Sequence, residues 1–363
     1  MKSSNKVLAL AIIVLLLASI EANSADEEAP VKSSFSLMVD RFLSYFSGKP
    51  EEVKESPEVS ADKISGSHKY YEDALLRLEN DEIQAAVIQL RNALKSDPNN
   101  LSVYLLLAQI YLDHHRPWMV ENIYHEALAK GIDKKLIVSY LAKAYLQQFK
   151  YQEILDNIPT TGLPKGLKAE MRVVRAQAFF GMSRYDKAES VLGDVLRILP
   201  SYPPAIIMMA KLNIARKNEN GANQLLASIS ETGVYEPEYW LLKGEIARSA
   251  NNLPDAIRHY TKAIDLENDH LVSLQARASL YIDYGKLDLA AEDVAVIRDT
   301  YPNDLRGLML EALMHSKNGN NASHEVTLKA AYAQIENLNF LDLQDDGYNL
   351  LLVSTLYYFG ELH

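Results

Sequence analysis

Small side chains recur along the chain at a fixed interval of 34 residues. They stand at Ala74, Ala108, Ala142, Ala176, Ala210, Gly244, Ala278 and Ala312. Twelve places later comes a second column of small or apolar residues, at Ala86, Val120, Ile154, Ala188, Ala222, Ala256 and Ala290. Four places further on comes a bulky column, at Leu90, Tyr124, Ile158, Leu192, Leu226, Tyr260, Val294 and Leu328. Such a period indicates a stack of repeated units in place of one central core.

Helix-breaking residues divide each unit into two antiparallel helices. Pro117 and Pro254 fall near the predicted starts of second helices, where a missing N–H costs little. Second helices are predicted to end before the prolines at 98, 200 and 302, because the residue before proline avoids helical geometry. Gly285 follows a first helix, where a left-handed residue is expected. A small residue on the first helix then lets the second approach closely.

The period, the small-residue columns and the closing proline resemble the tetratricopeptide repeat, most clearly over 70–98 and 240–263. The resemblance implies an all-α, right-handed superhelical solenoid. It would contain about eight 34-residue helix-turn-helix repeats over 67–336 and a partial ninth within 337–363. The third repeat departs from the pattern, since Pro159, Gly162, Pro164 and Gly166 cut its second helix short. That loop is a hinge or a ligand-facing excursion.

Composition excludes several classes of function. The formal net charge of −11 argues against nucleic acid as a partner, because phosphate binding needs clustered lysines and arginines. The sequence has no cysteine, which rules out disulfides, cysteine-bound zinc and a thiol nucleophile. No glycine-rich phosphate loop, nucleophile elbow or zinc helix motif occurs. His114 and His115 are adjacent in a turn, and His315 with His324 lack a third ligand, so we predict no enzyme activity, cofactor or metal site.

The first residues predict export from the cytoplasm. Lys2 and Lys6 precede an uncharged apolar run over 7–20, and small residues follow it. This is the order of a secretory signal peptide, and the run is too short for a bilayer of about 30 Å. We predict a signal peptide over 1–24, cleaved after Ser24, with an uncleaved anchor as the alternative. Both place the body in the periplasm or the cell envelope.

Residues 25–66 are predicted to form a polar tether. An island between Phe35 and Phe46 interrupts it with apolar residues at helical spacing. This short amphipathic helix would dock on the first repeat or make a peripheral contact with a membrane surface. Docking is the interpretation that we prefer.

The resemblance also implies where partners bind. In tetratricopeptide proteins the first helices line a concave groove that takes one or more proteins or peptides. The matching positions here include Gln109, Ser139, Lys143, Gln177, Lys211, Glu245, Arg248, Gln275, Ser279 and Asp283. The set is mixed in charge and rich in amides. The lysine and asparagine clamp with which some members hold a terminal carboxylate is absent from the matching positions.

A narrower resemblance concerns the pathway. The run 85–94, followed by Asp97, Pro98, Asn99 and Asn100, is similar to the opening repeats of bacterial exosortase and PEP-CTERM-system tetratricopeptide lipoproteins. It implies an exported scaffold in a cell-envelope assembly, serving exopolysaccharide production or surface-protein sorting. Those lipoproteins use a cysteine for lipid attachment, which this sequence lacks. An enzyme is the least favoured alternative.

The last residues predict an unfinished repeat. Residues 348–359 have the pattern of the first helix of a ninth repeat, apolar nearly all round. Such a helix is normally buried. We therefore expect these 363 residues to be the front part of a larger envelope or export protein, or this helix to pack against a second chain in an oligomer.

Overall fold

The computed structural model describes residues 61–229, 236–302 and 304–336. Within these ranges the chain forms sixteen α-helices and one short 3₁₀ turn, Lys134–Leu136, with no strand. The predicted signal peptide, the apolar island and the ninth repeat lie outside the described residues. The described part divides into two compact units at residue 191, within helix α8.

The helices alternate as first and second members of hairpins. Unit 1 contains α1 (Ala61–Glu79), α2 (Ile83–Ser96), α3 (Leu101–Asp113), α4 (Pro117–Ala129), α5 (Val138–Gln147), α6 (Tyr151–Asn157), α7 (Lys165–Gly181) and the start of α8 (Tyr185–Ile198). Unit 2 continues with α9 (Pro203–Ala215), α10 (Glu219–Ala227), α11 (Pro237–Ser249), α12 (Leu253–Leu266), α13 (Leu271–Asp283), α14 (Leu287–Thr300), α15 (Leu305–Lys317) and α16 (Asn321–Glu336). The predicted all-α repeat architecture is confirmed.

The three sequence columns form the core of the hairpins. Every small residue of the first column is buried, including Gly244, and the bulky residues opposite are buried with them. The predicted helix boundaries also hold. Pro117 and Pro254 lie in the first turns of α4 and α12, and α2, α8 and α14 end before their prolines. Side-chain size at two positions therefore sets how closely each pair of helices packs.

Two details refine the predicted boundaries. Helix α1 begins at Ala61, so residues 61–66, predicted as the end of the tether, belong to the first helix. The helix extends because no proline interrupts it, and its buried Ser67 accepts a hydrogen bond from Asn100 Nδ2 over 3.1 Å. Helix α6 has only seven residues, as the proline and glycine cluster after it predicts.

One turn geometry joins the two helices in all eight described hairpins. Each turn contains a residue with positive φ, and these residues recur every 34 positions: Asp81, His115, Phe149, Ser183, Lys217, Asn251, Gly285 and Gly319. Gly285 has φ +68°, which confirms its predicted left-handed conformation. The six non-glycine residues in this set adopt the same left-handed conformation, although it is unfavourable for a residue with a Cβ atom. The fixed spacing of the two helices thus imposes the turn.

Among the described helices, none is both long and apolar enough to cross a membrane.

Candidate protein-binding faces

The predicted partner-binding residues all lie on first helices, and none is fully buried. Gln109, Ser139, Lys143 and Gln177 lie on α3, α5 and α7 of unit 1, and we call them the unit 1 face. The unit 2 face consists of Lys211, Glu245, Arg248, Gln275, Ser279 and Asp283 on α9, α11 and α13. Within unit 1, α3 contacts α5 and α5 contacts α7, while α9 contacts α11 in unit 2. First helices therefore contact one another in succession over α3, α5 and α7 of unit 1, and over α9 and α11 of unit 2.

In unit 1, Ser139 and Lys143 of α5 converge on Glu170 of α7. Burial raises the pKa of the Glu170 carboxyl above its usual value, while the charge of Lys143 and a hydrogen bond from Ser139 act to lower it. The Lys143 ammonium also lies 5.8 Å from the centre of the Tyr140 ring. The carboxylate of one hairpin thus interacts with two side chains of the preceding hairpin.

In unit 2, Lys211 of α9 forms a direct ion pair with Glu238 of α11. Lys211 Nζ donates to Glu238 Oε1 over 2.7 Å. Burial acts to raise the pKa of Glu238, but Lys211 and His270 outweigh it, so that this pKa lies below its usual value. His270 Nε2 is 4.0 Å from Glu238 Oε2, and its Nδ1 is 2.7 Å from Ser273 Oγ. Side chains from three successive first-helix segments therefore meet at one carboxylate.

The two arrangements occupy the same positions of the repeat. Lys143 and Lys211 are separated by two 34-residue periods, and so are Glu170 and Glu238. In each pair the glutamate follows the lysine by 27 residues and belongs to the next hairpin. Neither glutamate was predicted from the sequence. Matching opposite charges between repeat positions of successive hairpins would have found both.

The remaining predicted residues are less closely connected. Gln109 Nε2 donates to Asp113 Oδ1 over 2.6 Å on α3. On α11, Glu245 accepts from Arg248 Nη2 over 2.6 Å and from Tyr260 Oη over 2.9 Å. Four residues make no side-chain hydrogen bond or ion pair with any other residue that the structure describes, namely Gln177, Gln275, Ser279 and Asp283. Their polar groups face water or a partner.

The paired histidines considered from the sequence make separate contacts. His324 Nδ1 lies 2.8 Å from the carbonyl oxygen of Ala312, and His315 Nε2 lies 3.9 Å from Glu311 Oε1. Within the described ranges, no three histidine, aspartate or glutamate side chains are grouped as metal ligands would be. Both histidines therefore make their contacts within the last described hairpin.

Residues 179–246, from the end of α7 through most of α11, match the family model of the tetratricopeptide repeat. The chain carries tetratricopeptide repeats. Repeats of this kind stack into extended binding surfaces and are typical of non-catalytic proteins that bind other proteins. Together with the polar first-helix faces, the repeats suggest a protein-interaction scaffold.

Individual relatives are distant. The rRNA biogenesis protein RRP5 of Drosophila melanogaster is 26% identical over 222 residues, which is 53% of this chain. The chain spans only about 15% of the length of that relative. Among solved structures, the APC/C hetero-tetramer Cut9–Hcn1 matches with a TM-score of 0.53 and 16% identity, covering 89% of this chain and 59% of the other. Yeast Tom70 matches with a TM-score of 0.47 and 15% identity, covering 97% of this chain and 79% of its own. At 16% identity, the likeness to Cut9–Hcn1 shows the fold alone.

Proposed function

We propose that this protein is an exported scaffold that holds partner proteins on the unit 1 and unit 2 faces, within a cell-envelope assembly. The observation that carries this proposal is the lysine–glutamate ion pair on the first helices of unit 2, together with the lysine and glutamate at the same repeat positions of unit 1. In unit 2 the Lys211 and Glu238 side chains remain 39% and 30% exposed, so both charges are accessible to a partner. Because each charge is already held in place, a partner would find the polar groups ordered before it binds, which lowers the entropic cost of association.

The chemistry of these faces favours an extended polar segment. Lys211 is already paired with Glu238, so it does not supply a free cation for a lone carboxylate. Gln177, Gln275 and Ser279 offer hydrogen-bond donors and acceptors that suit a peptide backbone. Within one unit, a partner segment would therefore run across successive first helices, bonding to amides and to the lysine and glutamate of that unit.

A charge-swapped variant tests this proposal without removing the ion pair. Lys211→Glu combined with Glu238→Lys keeps two opposite charges in contact and reverses their order on the unit 2 face. The matched control swaps Glu325 and Lys329, an exposed pair on the second helix α16. Each variant is immobilised and exposed to cell-envelope extract from the native host, and thermal melting confirms that it folds.

Partners that bind the wild type and the α16 swap, but not the Lys211–Glu238 swap, would support the unit 2 face. Equal capture by all three proteins would contradict it. The equivalent swap of Lys143 and Glu170 applies the same test to unit 1. Since the two pairs occupy the same repeat positions, either unit can serve as the comparison for the other.

The cellular location rests on Lys2, Lys6 and the apolar run 7–20. N-terminal sequencing of the protein from its native host should find a chain that starts near Ala25 in the envelope fraction. An intact Met1 in a cytosolic fraction would contradict export.

A role in exopolysaccharide production or surface-protein sorting is supported by the local resemblance of 85–94. Deletion of the gene should then reduce exopolysaccharide or misplace sorted surface proteins, and normal levels of both would remove that part of the proposal.

A further inference from the structure

A pocket of about 580 Å³ opens in unit 1 where α2, α3 and α4 meet. Its apolar wall includes Ile83 and Val87 of α2, Tyr111 of α3 and Met119 of α4. Trp118 and Arg116 also line the pocket. None of these residues belongs to the unit 1 face, and five of the six lie on the second helices α2 and α4 or on the turn before α4.

Trp118 is exposed to an extent that the fold does not require. Its side chain is 55% accessible to solvent on α4. The corresponding positions of the other hairpins hold polar or small residues: Gln84, Gln152, Asp186, Asn220, Pro254, Asp288 and Ala322. Because those hairpins form without an aromatic ring there, the indole does not serve hairpin packing. Exposed tryptophans beside pockets are instead enriched where proteins bind one another.

The charge at the pocket is opposite to that of the whole chain. Arg116 is exposed immediately before α4 and makes no ion pair with another residue of the described ranges. Glu82, which precedes Ile83 of the lining, is held by Arg77 Nη1 at 3.0 Å. The local cation is therefore unneutralised in a protein of net charge −11. A guanidinium in this setting suits a carboxylate, which it can bind through two parallel hydrogen bonds.

We propose that this pocket docks a segment of a partner protein in which a bulky apolar side chain stands next to a carboxylate. The apolar side chain enters between Trp118 and the wall formed by Val87 and Met119. The carboxylate pairs with Arg116 at the rim. This second binding surface is independent of the first-helix faces, so a scaffold could hold two partners at once.

The two tryptophans of the chain make the test direct, because Trp240 is only 5% exposed. The probe is an unlabelled hexapeptide with two central leucines flanked by pairs of glutamates, added to the full chain. We expect the tryptophan emission to shift to shorter wavelength and acrylamide quenching to fall as the peptide saturates the pocket. Trp240→Phe leaves Trp118 as the only reporter and should preserve both changes.

Calorimetry on variants assigns the contacts. Trp118→Gln, which installs the residue of the first and third hairpins, should weaken peptide binding about tenfold or more without lowering thermal stability. Arg116→Gln should weaken it less and remove most of its salt dependence. Leu76→Gln is the matched control, since Leu76 is 58% exposed on α1 and lies outside the pocket lining. It should leave the affinity unchanged.

Several results would overturn the proposal. One is the absence of peptide binding at millimolar concentration, and another is equal affinity for a peptide with lysines in place of the glutamates. Trp118 shielded before peptide is added would point to another occupant. Shielding that grows with protein concentration would indicate a second copy of this chain, and shielding independent of concentration would indicate a segment of the same chain.

Discussion

A Cβ atom on Gly244 would lie 2.3 Å from Cε1 of Tyr260. The two residues occupy the small and the bulky positions of one hairpin, on α11 and α12. Tyr260 has little freedom to move aside, because it is fully buried and its Oη donates to Glu245 Oε1 over 2.9 Å. The missing side chain at position 244 therefore allows α11 to approach α12.

Gly244→Ala should destabilise the protein. The added methyl group forces α11 and α12 apart, which costs about 1–3 kcal/mol as for other overpacked cores, less a gain of about 1 kcal/mol in helix propensity. The control is Gly193→Ala in the middle of α8, where a Cβ meets nothing within 4 Å and should stabilise by about 0.5–1 kcal/mol. Urea unfolding of both variants gives the comparison. A similar gain in both would mean that the contact with Tyr260 is easily relieved.

The small and bulky positions that pack the hairpins were predictable from the sequence, because side-chain volume alone decides how closely two neighbouring helices pack. The pairing of Lys143 with Glu170 was not, since it depends on how one hairpin stacks on the next. The left-handed turns fall between these cases. Gly285 was predicted from its lack of a side chain, whereas Lys217 has no local preference that reveals its φ of +60°. At Lys217 the geometry of the hairpin overrides the backbone preference of the residue.

Exchanging the residues at two hairpin turns should change stability in opposite directions. Lys217→Gly relieves a left-handed conformation at an exposed position and should stabilise by up to about 1 kcal/mol, although a more flexible unfolded chain offsets part of the gain. Gly285→Lys places a Cβ in the same conformation and should cost about 1 kcal/mol. Thermal or urea unfolding measures both. Changes of the same sign would show that the left-handed residue does not control these turns.

His259 should make unit 2 sensitive to mild acid. Its ring stacks on Trp240 with centroids 5.7 Å apart, and its Nδ1 is buried without a hydrogen-bond partner among the described residues. Burial, with the nearby charges of Arg258, Lys243 and Lys262, lowers the pKa of His259 to about 4. Between pH values of about 6.5, the ordinary pKa of histidine, and about 4, the unfolded chain binds a proton at His259 that the folded chain does not bind. Stability should therefore fall as the pH drops through this window, by up to about 3 kcal/mol.

His259→Leu tests the assignment, since Leu225 holds the corresponding position one repeat earlier. Urea unfolding at pH 7.5 and at pH 5 should show a smaller loss for this variant than for the wild type. His68→Gln on α1 is the control, because that side chain is 63% exposed. It should keep the full loss. An unchanged acid response in His259→Leu would place the sensitivity elsewhere.

Arg277 and Asp293 form a buried ion pair between α13 and α14. Replacing one of the two residues should destabilise the fold much more than replacing both. Arg277 Nε and Nη2 donate to the two oxygens of Asp293 over 3.0 and 2.6 Å, and Nη1 donates to Thr261 Oγ1 over 2.9 Å. Removing Arg277 alone leaves a carboxylate with 3% exposure and no counter-charge, at a cost of about 3–5 kcal/mol.

The second hairpin supplies the replacement, because Leu107 and Ile123 occupy the corresponding positions and are fully buried. Arg277→Leu combined with Asp293→Ile should therefore restore most of the stability that Arg277→Leu loses, or exceed the wild type, as apolar replacements of buried ion pairs often do.

The stability that Arg277→Leu alone loses should be partly regained in acid. Burial raises the pKa of Asp293, while Arg277 opposes the rise. Without Arg277 the folded state therefore takes up a proton more readily, and the loss of stability becomes smaller as the pH falls. Urea unfolding of the three proteins at pH 7 and pH 4.5 measures both effects. A double variant as unstable as the single one would mean that Arg277 contributes through its contact with Thr261 or through its packing, and that the lone Asp293 charge is not the source of the loss.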